Sequence, residues 1–124
     1  KMFINVSEDS PLIINFNEVT SISQQGDDVR IEMSGFAEHK FVANITVGDF
    51  ISSLPEAVVR EFRKISESDS GLHVRLSAIS SISKQDYIAD DTNTKLTLSG
   101  KHHHIIYGID ACSFHEKYIP PQHR

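Results

Sequence analysis

The chain has no tryptophan and a single cysteine, Cys112, in 124 residues. One thiol cannot close an internal disulfide, so the fold must rest on its apolar core, and a reducing compartment suits it best. Long apolar runs are missing too. A membrane-spanning helix needs about 20 consecutive apolar residues, and no such run occurs. No basic-then-apolar leader opens the chain, and Lys1 before Met2 points to Met2 as the natural start. The six glycines are scattered through turn-like contexts, and none builds a phosphate-cradling loop. Positive charge is in deficit, with 12 Lys and Arg against 17 Asp and Glu; the net −5 argues against a phosphate-backbone footprint.

What is present is one pattern written twice. The stretch from Leu12 to Gln25 aligns without a gap on Leu72 to Gln85. Leu12 falls on Leu72, Ile14 on Val74, Phe16 on Leu76 and Val19 on Ile79, and Ser21-Ile22-Ser23 recurs unchanged as Ser81-Ile82-Ser83. Phe3 upstream matches Phe62, and Ser34-Gly35 downstream matches Ser99-Gly100. Such repeats decide the architecture before any local reading does. A domain of ~60 residues buries only ~60% of its unfolded surface. The two copies, 2–59 and 60–119 with a tail at 120–124, are therefore expected to share one pseudo-symmetric domain, related by a rotation near two-fold.

Within a copy, short alternating segments come first. Met2 to Ser7, Leu12 to Phe16, Val19 to about Gln24, Val29 to Met33 and His39 to Asn44 read as strands, with turns at Ser10-Pro11 and Gly26-Asp27-Asp28. Phe16 and Val19 cannot both face one side of a regular strand, which predicts a bulge or short turn at Asn17-Glu18. In Val29 to Met33 the apolar positions should face inward and the charged ones outward. The period then changes: Val47, Phe50, Ile51 and Leu54 make one stripe of a helix over 46–54, capped by Thr46. The second copy repeats the change, with strands at Lys95 to Leu98 and His103 to Ile109 and a helix over 110–118. Glu56 to Ile65 suits a helix or a strand equally. The fold class is α+β, each repeat being several short antiparallel strands followed by a short helix.

One copy resembles the small FlbD-like flagellar and swarming accessory proteins. The likeness rests on Asn15 to Ile22, Val29 to Gly35 and Phe41 to Leu54; the second copy departs from it where Arg75 replaces Asn15. These are core and turn positions. The resemblance implies a fold and carries over no functional residue. Small phage proteins of similar build leave a phage-borne chain open as well.

The segment richest in chemistry is Lys101-His102-His103-His104. On a strand, His102 and His104 share one face, and two imidazoles there could ligate a metal with His39 or His115 as third ligand. A solvent-exposed polar edge strand explains the same residues. Asp27, Asp28, Asp90 and Asp91 lack the alternating oxygens, central glycine and terminal glutamate of a calcium loop. Asp86 and Glu67 have no evident acid–base partner. Cys112 opens a helix, but no base and orienting group accompany it. Arg60, Arg63 and Lys64 around Phe62 are the one basic cluster, which reads more readily as a solvated face than as a nucleic-acid surface. The expectation is a cytoplasmic, non-enzymatic protein-interaction or assembly module that forms homo-oligomers, with no cofactor, no membrane and no nucleic-acid partner. The alternatives are a His-cluster metal-binding protein and a small β-rich nucleic-acid-binding protein.

Overall fold

The computed structural model describes residues 2–35, 38–85 and 92–124. Asp86, Asp90 and Asp91 lie outside the described residues. Strand β1 (Phe3–Asn5) pairs antiparallel with β2 (Ile13–Asn15), Ile4 opposite Ile14. A 3₁₀ turn, Phe16–Glu18, leads into β3 (Val19–Gln25). The Asn15 side chain starts that turn by accepting from the Asn17 N–H at 3.1 Å, and β3 shifts register between Val19 and Ser21. Turn and bulge together let Phe16 and Val19 both be fully buried, which resolves the parity change in the sequence.

Strand β4 (Asp28–Met33) returns after the Gly26 turn, and β5 (His39–Val42) pairs with β4. Helix α1 (Val47–Ser52) follows, its Thr46 hydroxyl accepting from the Asp49 N–H at 3.1 Å. The segment that suited helix and strand equally is both in turn: α2 (Glu56–Val59), then β6 (Phe62–Lys64). The order of elements then recurs. Strand β7 (His73–Arg75) leads through a 3₁₀ turn, Leu76–Ala78, into β8 (Ile79–Lys84), which shifts register between Ile79 and Ser81. Strands β9 (Thr94–Leu98) and β10 (His103–Ile106) and helix α3 (Ala111–Tyr118) complete it, with Asp110 accepting from the Ser113 N–H at 2.8 Å.

The strands form an antiparallel α+β arrangement: the β1–β2 ribbon, a five-stranded sheet ordered β5-β4-β3-β7-β6, and a three-stranded sheet ordered β10-β9-β8. The halves interleave, because β7 pairs with β3, Ser21 opposite Val74 and Ile22 opposite His73. That pairing runs one way. Among the described residues β2 pairs with β1 and β8 with β9, so no reciprocal β2–β8 seam exists. The two halves are therefore joined within one sheet by the β3–β7 seam.

Side-chain alternation sends Ile22 and Val74 to opposite faces of the five-stranded sheet, and each face carries its own core. One core gathers Ile14, Phe16, Ile22, Ile31, Phe50 and Phe62. The other gathers Val74, Leu96, Leu98, Ile106, Phe114 and Tyr118. The sheet covered on both sides corrects one expectation: β4's charged positions do not simply face water. Glu32 is only 5% exposed, because β10 crosses over it. Gly100 makes a close crossing against main-chain atoms. Its φ is +84°, and a Cβ there would meet the Met33 and Ser34 carbonyl oxygens at 2.9 and 2.8 Å.

Candidate functional site

His102 and His104 share a face, as their spacing predicts, and that face meets Glu32. His102 Nδ1 lies 3.2 Å from Glu32 Oε2, and His104 Nε2 lies 2.6 Å from Oε1. The Ser21 hydroxyl donates to Oε1 at 2.5 Å, and Arg30 stands 3.4 Å from Oε2. The other nitrogen of His102, Nε2, is 3.1 Å from the Glu38 carbonyl oxygen. Burial alone would raise the Glu32 pKa. The hydrogen bonds from His104 and Ser21 and the charge of His104 and His102 outweigh it, holding the carboxyl at about 2 against an ordinary 4.5.

The four histidines considered as metal ligands are not brought together. His39 sits opposite Glu32 in the β4–β5 register, but is exposed and edge-on to Phe41 at 5.3 Å. His115 is on α3, at an open groove of about 900 Å³ between that helix and β8. Among the described residues no group of three or more His, Cys, Asp or Glu is arranged to hold a metal ion. The Glu32 cluster instead ties one sheet to the other. Nothing in the sequence pattern around Glu32 distinguished it from Arg30, its neighbour on the same face.

The basic run Arg60 to Lys64 lies elsewhere. Strand β6 is an edge of the five-stranded sheet, and it exposes Arg63 and Lys64 while burying Phe62 in the core. Phe62 is therefore not available as a stacking aromatic. The Arg63 guanidinium lies 5.3 Å from the centre of the Tyr118 ring and donates to the Lys117 carbonyl at 3.4 Å. This contact joins the β6 edge to the end of α3. Arg63 and Lys117 thereby come together, while Lys64, next along the edge strand, points to the other face of the sheet. Lys117 is paired with Glu67 at 2.7 Å, where its hydrogen bond raises the ammonium pKa. Tyr118 is buried beneath, accepting from the Ser66 N–H at 2.9 Å and donating to Glu67.

Charge is divided unevenly between the halves. Residues 2–59 carry two basic and nine acidic side chains, whereas residues 60–124 carry nine basic and eight acidic. The net −5 of the whole chain is thus an acidic first half averaged with a balanced second half. This signal was present in the sequence, and counting by repeat finds it.

No protein-family model matches the chain, and no curated protein sequence matches it. Among solved structures it is similar to the LytTr DNA-binding domain of a Bacillus cereus response regulator. The TM-score is 0.61 at 13% identity, over 94% of this chain and 95% of that domain. The fold is shared. That likeness overturns the expectation of an interaction or assembly module without a nucleic-acid partner. The expectation had rested on the net charge, which averages an acidic first half with a balanced second half.

Proposed function

We propose that the chain is a DNA-binding domain. The observation that carries the proposal is the extent of the match: it runs nearly end to end in both chains, so it is not a shared hairpin or sandwich fragment. Exposed cations along one edge support it. Arg60, Arg63 and Lys64 come from the end of α2 and an exposed edge strand, where long cationic side chains can reach phosphate oxygens. Neutralising phosphates releases condensed counterions, and this supplies most of the sequence-independent affinity. The acidic first half has a matching role, because its repulsion from the duplex turns the second half toward it. A DNA partner suits a cytoplasmic location, and among the described residues no helix is long and apolar enough to cross a membrane.

The test is fluorescence anisotropy with a labelled duplex across a salt series. Affinity should fall steeply as salt rises. Changing Arg60, Arg63 and Lys64 to Ala should weaken binding across all sequences and reduce the salt slope by about 1 for each phosphate no longer neutralised. The reading fails if the duplex does not bind at low salt, or if the triple variant keeps the wild-type slope.

A further inference from the structure

The groove between α3 and β8 is chemically unlike the basic edge beside it. Its floor is aliphatic: Leu76, Ile79, Ile82 and Ile119 line it, each only partly covered by the protein's own atoms. Apolar side chains left partly open in a concave site of about 900 Å³ are the ordinary lining of a small-molecule pocket. The rim is polar and of one prevailing kind. Arg60 supplies a guanidinium, and His115 and His123 supply ring nitrogens; all three are exposed. The single carboxylate on the lining, Glu61, already lies in the field of Arg75, where the two charges favour each other.

We infer that this groove is a binding site for an aliphatic carboxylate, with its hydrocarbon on the isoleucine and leucine floor and its head group at Arg60. The division of the lining selects that chemistry. A nucleobase is held by stacking on a flat face, and the buried part of the lining offers branched aliphatic side chains instead, with the two imidazoles exposed. An inorganic anion would leave the aliphatic floor wet. A neutral hydrocarbon would gain nothing from the Arg60 charge. Only a molecule with an apolar body and one acidic end satisfies both parts. The inference does not depend on DNA binding, since it rests on the groove's own lining.

Cys112 provides the measurement. It is the chain's only thiol, it is exposed, and it lies on the groove wall. Alkylation of Cys112 by neutral iodoacetamide is followed by mass spectrometry on the whole chain, with decanoate held below its micelle concentration. Decanoate should slow the reaction saturably. Octanoate, two methylenes shorter, should need about tenfold more for the same protection. Decanol should protect far less than decanoate. Arg60→Ala should keep the unliganded alkylation rate and the melting curve but weaken protection by decanoate several-fold, and Arg60→Lys should restore part of it. An unchanged rate with decanoate overturns the inference, as does equal protection by decanol or full protection in Arg60→Ala. Accelerated alkylation, the mark of detergent-like unfolding, also overturns it. Because no DNA enters the assay, its outcome and that of the anisotropy experiment are independent.

Discussion

The two halves run through the same elements in the same order, yet they treat equivalent residues differently. Ile14 and Val74 are both buried, as are Phe50 and Phe114. At the aligned surface positions the chemistry diverges: Asn15 answers to Arg75, Ile51 to His115 and Ser53 to Lys117. Even one aligned apolar pair differs in fate. Phe3 is 72% exposed while Phe62 is 9% exposed. The cause is the one-way seam. Strand β6 reaches the first half's core because β7 docks on β3, whereas β1 and β2 have no such neighbour. Two segments with the same order of elements can therefore share local structure while their assembly gives each a separate surface.

The comparison is most strongly tested at the two aligned phenylalanines. Phe114→Ala and Phe50→Ala should each cost about 3–5 kcal/mol in chemical denaturation, because both rings are buried. A large loss at one and none at the other would show that the two helices do not hold their cores in the same way. Next is the join between the sheets. Glu32 titrates lower in the folded chain than in the unfolded one, so its contribution is complete above pH 4.5 and disappears as pH falls toward 2. Urea denaturation at pH 5 and pH 2.5 should show about 2 kcal/mol of stability lost through this group. Glu32→Gln should lack that part of the pH dependence. An identical acid response in wild type and variant would remove Glu32 from the seam.

Smaller effects sharpen the picture. Thr46→Ala removes the hydroxyl that caps α1 and should cost about 1 kcal/mol. Asp110→Ala removes the equivalent cap from α3, so far-ultraviolet circular dichroism of both variants compares the two helices directly. The smallest effect belongs to Phe3→Ser, which should change stability by less than about 0.5 kcal/mol, as is usual for an exposed site. A loss as large as that of Phe62→Ala would mean that Phe3 is covered in solution.

The strand-turn-strand-helix order was legible in the sequence because each element has its own period and its own stop signal. Phe16 against Val19 marked the bulge, and Thr46 and Asp110 marked the helix starts. Glu56 to Ile65 defied a single assignment because a helix and a strand share it. The burial of Glu32 was not legible. Its strand alternates as a half-exposed one does, and only a sheet from the other half, docked face-on, removes it from water. The cationic edge was legible in part: Arg60, Arg63 and Lys64 stood out, but Lys117 meets Arg63 through a bond between residues more than fifty apart in the chain, Arg63 to the Lys117 carbonyl.

Gly100 carries a genetic consequence. The atoms that a side chain there would strike belong to the main chain of Met33 and Ser34. Crowding between two side chains can be relieved by trimming either of them, so a defect of that kind has second-site suppressors. Crowding against a carbonyl offers no such remedy, because every residue type carries the same carbonyl. A selection for revertants of Gly100→Val should therefore return glycine at position 100 itself, and compensating changes at positions 33 and 34 should not be found.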